Sequence, residues 1–569
     1  MAASSVDLQG APFLLDEEGV GWVEAMLASM TDDEKVGQLF TLISYTADDA
    51  ALTDLVHRVK PGGIMFRPLP ARSVLEGVAV LRRASRIPVL IAANLEKGGD
   101  GIAVEGTNVG TPMQVAATGR PEAARWLGSV AGREGAALGV NWAFAPVVDV
   151  DLNFRNPITN TRTFGADPDT VRRLSVEYIR ALQAEGLAAA PKHFPGDGVD
   201  ERDQHLVTSS NDLSCEAWDS TFGEIYRACI EAGTKSLMAC HIMQPAWSRR
   251  LRPGIADEDI LPASLSHELI NGLLREHLGF RGLVVTDAST MAGMVATMPR
   301  AAQVPRAIAA GCDMFLFTRN LDEDVEYMRR GIADGVVTAE RLEEALTRIL
   351  ALKASLGLHK NGRSTTAREA ALEVIGNPAH RAISRDVARA SITLVKDRGS
   401  ILPLDPRRHR RVLLHDLHGG EGFFDTSDQG ADRLLEELLC AEGFAVTRFV
   451  PPAGMEGDAS PTTDTTECVD LILYLARLAT RSNQTTVRIE WAQPMGANVP
   501  LFSTSVPTVF VSVENPYHLL DVPRVPVYIN AYNASETTIR ELVEKLLGRS
   551  PFTGSSPVDA FCGRWDAQV

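Results

Sequence analysis

What this chain lacks narrows it quickly. No stretch is apolar for long enough to cross a membrane, which takes about 20 residues. Met1 to Leu8 has neither the basic start nor the apolar core of a secretory leader. The seven cysteines are Cys215, Cys229, Cys240, Cys312, Cys440, Cys468 and Cys562, odd in number, irregular in spacing and without a C-x-x-C pair. Buried free thiols in a reducing compartment fit this better than a disulfide framework, so the expected location is cytoplasmic. No Cys and His residues stand at metal-ligand spacing. No glycine-rich phosphate loop or cofactor motif appears, and no cofactor is expected. Basic residues are outnumbered 56 to 73, for a net charge of -17. That argues against a nucleic-acid surface, which wants clustered Lys and Arg, while leaving room for a local basic pocket.

What is present is a large globular chain. At 569 residues, 45% apolar and 23% charged, it exceeds one ordinary core and calls for at least two domains. Eight short apolar runs mark the first two-thirds: Gln38–Ile43, Gly62–Phe66, Pro88–Asn94, Trp142–Val150, Ala188–Phe194, Ser236–Ile242, Gly282–Asp287 and Asp313–Phe317. Helical patterns lie between them, among them Glu122–Leu138, Thr170–Glu185 and Leu265–His277, and Ala339–Leu356 follows the last. Continuous apolar runs are strands buried on both faces, and intervening helices imply parallel crossovers. The pattern predicts a (β/α)8 barrel of the TIM type over residues 1–360; strand count alone also admits a doubly wound open sheet. A polar, breaker-rich stretch at 361–377 reads as a linker.

A smaller α/β sandwich is expected over 378–569. Its helices fit Pro378–Ala390, Asp432–Leu439 and Glu536–Leu547, and its strands Ile392–Val395, Val412–Leu414, Leu471–Leu475, Val509–Val513 and Val527–Ile529. Glu456–Glu467, rich in Asp, Ser, Thr and Pro, reads as a surface loop. There is no internal repeat.

The most informative stretch is Lys192-His193-Phe194-Pro195-Gly196-Asp197-Gly198, followed by Asp203-Gln204-His205. The apolar Ala188-Ala189-Ala190 leads into it, so a buried strand ends here in a loop. Loops at the ends of parallel strands are where α/β enzymes keep their chemistry. An Asp two residues before a His can fix one imidazole tautomer and stabilise the cation. Taken alone, such a segment reads more readily as a solvated acidic loop with two ordinary histidines. Asp287 supplies the complement. It ends the run Leu283-Val284-Val285-Thr286 on the side where barrels build active sites, although an Asp there can also cap the next helix. A carboxylate on one strand end and an Asp–His pair on another provide a nucleophile and a proton donor. Retaining glycoside hydrolysis needs both.

These blocks carry a family resemblance along nearly the whole chain. Met30-Thr31-Asp32-Asp33-Glu34-Lys35-Val36-Gly37-Gln38-Leu39-Phe40, Ala145-Pro146-Val147-Val148-Asp149-Val150 and Arg162-Thr163-Phe164-Gly165 belong to it. So do the Lys192–Gly196 block with Asp203 and His205, Pro262-Ala263-Ser264-Leu265-Ser266, and Gly279 to Asp287. The chain resembles family-3 glycoside hydrolases of the β-N-acetylglucosaminidase branch, and its second domain resembles their C-terminal α/β domain. The resemblance implies that Asp287 is the nucleophile, His205 the acid/base and Asp203 its partner. It implies that Arg162, Lys192 and His193 hold sugar hydroxyls. The branch's sugar-binding Asp-Gln-Glu-Gly-Gly-Arg appears as Asn94-Leu95-Glu96-Lys97-Gly98-Gly99-Asp100. Asn94 can still donate and accept, and Glu96 or Asp100 can substitute for the missing contacts. The choice between N-acetylglucosamine and glucose stays open. Asp197 stands where the branch often has His.

The expected activity is therefore a retaining exo-β-N-acetylglucosaminidase that also accepts β-glucosides, acting on small carbohydrates. A rival reading is a phosphorylase that uses inorganic phosphate and releases a sugar 1-phosphate, since a histidine acid/base does not repel a phosphate dianion as a carboxylate does. A third reading, a non-catalytic sugar-binding protein, has no use for Asp287, Asp203 and His205 together. In the second domain Glu490 is the carboxylate to watch as a rival acid, though a surface role suits it better.

Overall fold

The computed structural model describes residues 6–360, 369–419, 430–451, 461–480 and 482–569. Its contacts divide the chain into two compact units. The first comprises Met1–Asn108, Ala124–Val150 and Pro168–His380, the second Val109–Ala123, Asp151–Asp167 and Arg381–Val569.

In the first unit each of the eight apolar runs coincides with a strand, two of which extend one residue past it. They are β1 (Phe40–Ser44), β2 (Gly63–Phe66), β3 (Leu90–Ala93), β4 (Trp142–Ala143), β5 (Ala188–Ala189), β6 (Ser236–Ala239), β7 (Leu283–Ala288) and β8 (Met314–Leu316). The sheet runs β5-β4-β3-β2-β1-β8-β7-β6, every pair parallel. The edges β5 and β6 meet just past the end of β5. There Phe194 and Ala239 form a parallel bridge, Met238 N–H donates to Pro191 O at 3.1 Å and Cys240 N–H to Phe194 O at 2.9 Å. That closure makes a barrel and sets aside the open-sheet alternative for this unit.

Alternate strand residues fill the interior: Met65, Leu90, Ala92, Trp142, Ala188, Met238, Leu283, Val285 and Met314 share one buried cluster. The period of two along each strand produces that inward row. Trp142 is the largest of these, and its indole N–H donates to Ser236 Oγ at 2.7 Å, so its one polar atom is satisfied inside.

The other end of the barrel wall holds buried charge. Asp313, just before β8, takes Arg275, Arg341 and Arg348. Lys353, fully buried, donates to Gln38 Oε1, while Gln38 Nε2 donates to Lys60 O at 2.9 Å.

The second unit is an open sheet of six strands: β9 (Thr393–Asp397), β10 (Arg411–His418), β11 (Ala445–Arg448), β12 (Leu471–Arg477), β13 (Thr508–Ser512) and β14 (Val527–Asn530). Their order is β9-β14-β13-β12-β10-β11, with β9 antiparallel on its edge and the rest parallel. One face packs Val412, Leu414, Leu471, Leu473, Val509, Val511, Val527 and Ile529 against helices Ala431–Ala441 and Glu536–Leu546. The other carries a row of rings in register across four strands, His415, Tyr474, Phe510 and Tyr528.

Strand β11 lacks an apolar run because it is an edge strand with half-exposed Ala-Val-Thr-Arg, and the sequence reading passed over it. Two chain segments that follow β3 and β4 also belong to this unit. Thr111 Oγ1 donates to Tyr532 O at 3.0 Å, Gln114 Nε2 to Thr538 Oγ1 at 3.1 Å, and Tyr517 OH to Asp151 Oδ2 at 2.5 Å. Of the expected linker, 361–368 lies outside the described residues; Gly376 N–H and His380 Nδ1 both bond Glu134 Oε1 in the first unit. Of the expected loop Glu456–Glu467, 456–460 lies outside them, and Thr462–Thr466 is a short helix.

The cysteines are all unpaired, but not all buried. Cys215, Cys229, Cys240 and Cys312 are, whereas Cys440 and Cys468 are exposed and Cys562 is half-buried. Cys440 sits near the end of an amphipathic helix and Cys468 in a turn, positions that composition does not reveal. Among the described residues no helix is long and apolar enough to cross a membrane, and no cluster of His, Cys, Asp or Glu could hold a metal.

Candidate active site

The strand ends of the barrel gather the candidate residues of the first unit. Leu283, Val284 and Val285 bury β7 completely, so the strand is held rigidly up to Asp287, which is half-buried at its end. Asp287 Oδ1 accepts the Ala288 N–H at 2.7 Å. Desolvation would push this carboxyl up. His193, His241 and His205, together with the Ala288 N–H, overcome it and hold the group well below the usual carboxylate range. Asp287 is therefore an anion in a nest of imidazoles.

His205 rides on the loop after β5. One oxygen, Asp203 Oδ1, accepts the His205 backbone N–H at 2.8 Å and its ring Nδ1–H at 2.7 Å. A carboxylate can only accept, so Nδ1 carries a proton and Nε2 is the nitrogen that exchanges one. Asp203 is 2% exposed, whereas the His205 side chain keeps 23% of its surface. That difference leaves the ring accessible and its partner dry. The neighbouring acids of the loop have other work. Asp200 pairs with Arg202 at 2.6 Å and accepts Ser210 N–H, and Glu201 is exposed.

His193 is held in the same manner by a residue further away in sequence. Its backbone N–H donates to Asp149 Oδ1 at 3.0 Å and its Nδ1 to Asp149 Oδ2 at 2.6 Å. Asp149 has no exposed surface. Next to His193, Lys192 is 3% exposed and gives one proton to Glu96 Oε1 at 2.7 Å and one to Asn94 Oδ1 at 3.3 Å. Asn94 and Glu96 follow β3, so the altered motif after β3 and the Lys192 block meet at one ammonium. Asp100 is turned to local use: it accepts Asn108 Nδ2 at 2.9 Å and lies 3.7 Å from Lys97.

Two residues missed in the sequence belong here. His241, at the end of β6, is fully buried; its Nε2–H donates to Ala288 O at 3.0 Å and its Nδ1 accepts from Ser264 Oγ at 2.9 Å. Burial pulls its pKa down to about 4 against the attraction of Asp287, so it is a neutral donor. Cys240 lies close enough to Asp287 for the carboxylate, after burial, to push its thiol further up, which keeps it a protonated, unreactive wall. No spacing signal marks His241; only the apolar run that ends there hints at it. Arg162 belongs to the second unit, half-buried at the end of the turn Asn160–Arg162. Glu490 is an exposed residue of that unit.

Residues 31–352 match the glycosyl hydrolase family 3 N-terminal domain. A β-N-acetylglucosaminidase/β-glucosidase of Cellulomonas fimi is 57% identical over 565 residues, spanning 99% of this chain and 100% of that one. The solved structure of a β-glucoside phosphorylase, BglX, superposes with a TM-score of 0.92 at 43% identity, covering 98% of this chain and 99% of that one. A family 3 β-N-acetylglucosaminidase from Paenibacillus sp. str. FPU-7 has the same fold, at a TM-score of 0.77 and 23% identity, over 94% of this chain and 99% of that one.

Proposed function

This chain belongs to glycosyl hydrolase family 3, and on that premise we propose that it is a retaining exo-β-N-acetylglucosaminidase that also accepts β-glucosides. The observation that carries the reading is buried Asp203 taking both N–H groups of His205, on a strand-end loop close to Asp287, whose carboxyl is held low by the neighbouring histidines. Asp287 attacks the anomeric carbon, and the bond to the leaving oxygen breaks as His205 Nε2 delivers its proton. Asp203 stabilises the imidazolium before transfer and holds the ring afterwards. A water then attacks the glycosyl-enzyme, giving its proton back to His205 and releasing Asp287. Two displacements at one carbon retain its configuration.

Lys192 has a third proton beyond those given to Glu96 and Asn94, and His193 has Nε2; both suit sugar hydroxyls. Asn94 and Glu96 are proposed to share that contact, and Arg162 keeps its candidacy from the motif it occupies. The barrel, residues 1–360, is proposed as the catalytic domain, and the unpaired cysteines support work in the cytoplasm.

Phosphate as acceptor is the second reading. A neutral or cationic His205 imposes no repulsion on a dianion, and the relative named as a β-glucoside phosphorylase is similar along almost the full chain. One assay separates the two: incubate an aryl β-N-acetylglucosaminide and an aryl β-glucoside, with and without inorganic phosphate. Free sugar at a rate indifferent to phosphate is the hydrolase outcome, and β-configured sugar 1-phosphate the phosphorylase outcome. No turnover of either substrate refutes both.

A further inference from the structure

Between Asp203 and His205 lies Gln204, with no exposed surface at all. Its side chain joins the end of β6 to an earlier part of the same loop. Gln204 Oε1 accepts the His241 backbone N–H at 3.0 Å, and Gln204 Nε2 donates to Asp197 Oδ2 at 3.2 Å. The chain of contacts continues on both sides. Asp197 N–H donates to Asp149 Oδ1 at 2.8 Å, and Asp149 holds His193. His241 Nε2–H donates to the carbonyl of Ala288, the residue after Asp287. The backbone of the same tripeptide is pinned to the segment after β7, with Gly293 N–H donating to Gln204 O at 3.2 Å and Ala292 N–H to His205 O at 3.0 Å. Gly293 is required for this approach, since a Cβ there would fall 2.3 Å from the Gln204 carbonyl oxygen.

We propose that Gln204 is a positioning residue, whose amide ties the His205 tripeptide to the end of β6 and to Asp197 earlier in the same loop, while its backbone meets the segment after β7, and so sets the acid/base against the nucleophile. An amide suits the task because its two ends differ: one accepts from a backbone N–H, the other donates to a carboxylate. Both bonds are buried, where a missing partner is costly. Misplacement of a proton donor by a fraction of its hydrogen-bond length is felt directly in the rate. The inference rests on the proposed roles of His205 and Asp287 and adds a residue to them.

The test uses the full chain and two β-glycosides, one with a strongly acidic phenol as leaving group and one with an alkyl alcohol. Gln204→Leu removes both bonds at similar size. The expected result is a loss in kcat of about 10- to 100-fold on the alkyl glycoside and roughly threefold or less on the aryl one, with KM changed by about twofold at most. A general packing defect slows both alike. Gln204→Glu sets a second carboxylate against Asp197 and is expected to lose more. Adding Asp197→Asn exchanges the two ends of the bond, with the new Asn donating to the new Glu, which still accepts from His241; the double variant is expected to regain at least about tenfold over Gln204→Glu on the alkyl glycoside.

Equal losses on both substrates, no loss on either, or a double variant no better than Gln204→Glu each overturn the inference. His205→Ala is measured alongside. If it shows the leaving-group dependence and Gln204→Leu does not, the acid/base assignment stands and the positioning role falls; if neither shows it, both fall.

Discussion

Asp203 Oδ1 takes both N–H groups of His205, the backbone at 2.8 Å and the ring Nδ1 at 2.7 Å. A single oxygen thereby fixes the residue, its ring plane and its tautomer. Asp203→Asn keeps the shape but offers an amide that can present N–H to the ring. It is expected to lower kcat by roughly 10²- to 10⁴-fold on glycosides with poor leaving groups, the span of general acid–base catalysis. Steady-state kinetics on an alkyl glycoside checks this; near wild-type turnover rejects the pair.

His205→Ala should damage turnover of unactivated glycosides far more than of aryl glycosides with acidic phenols, which need little protonation. Added azide should accelerate release of the glycosyl-enzyme in that variant. Glu490→Ala, an exposed position, should change neither. The opposite pattern transfers the acid to the second unit.

Asp287→Ala is expected to remove turnover by roughly 10³-fold or more, because the covalent step is lost. The thermal midpoint should hold, since the strand beneath Asp287 is packed by Leu283, Val284 and Val285. Activity close to wild type on an activated aryl glycoside refutes the nucleophile.

Lys192 and Glu96 should behave as a coupled pair. Lys192→Met leaves Glu96 beside a buried site without its ammonium at 2.7 Å, so both stability and KM should worsen. Breaking such a pair from one side costs about 3–5 kcal/mol when it is fully buried; Glu96 keeps 14% of its side chain exposed, which reduces the figure. Adding Glu96→Gln should restore much of the thermal midpoint and little of the KM. Additive losses in melting temperature show that the pair is not coupled.

A pH signature follows from Lys353. Burial pulls its pKa down to about 7 from 10.5. The folded state then holds fewer protons than the unfolded chain between those values, so stability rises with pH across about 7 to 10.5 and is lost again on the way down. Lys353→Met removes the titration. Midpoints of chemical unfolding at pH 7, 8, 9 and 10 should rise less steeply in the variant. Parallel curves show that Lys353 does not titrate in this window.

What the sequence alone determined was whatever is local. Every barrel strand coincided with an apolar run to within one residue at its end, because strands buried on both faces are apolar almost throughout. The Asp203–His205 pair could be read because its partners are two residues apart, and Asp287 because a polar residue ending an apolar run marks a strand end. Edge strand β11, half-exposed Ala-Val-Thr-Arg, has no such run and went unread. The tertiary structure decided what depends on residues distant in the chain. Only strand pairing in the sheet puts β6 beside β7 and gives His241 the carbonyl of Ala288. Only the folded loops put Lys192 on Asn94 and Glu96, and Asp149 under His193. Whether Gln204 is a solvated spacer or a buried bridge is likewise invisible along the chain. Hydrogen bonds and charges act over a few ångströms, and only the fold sets which groups come within that range.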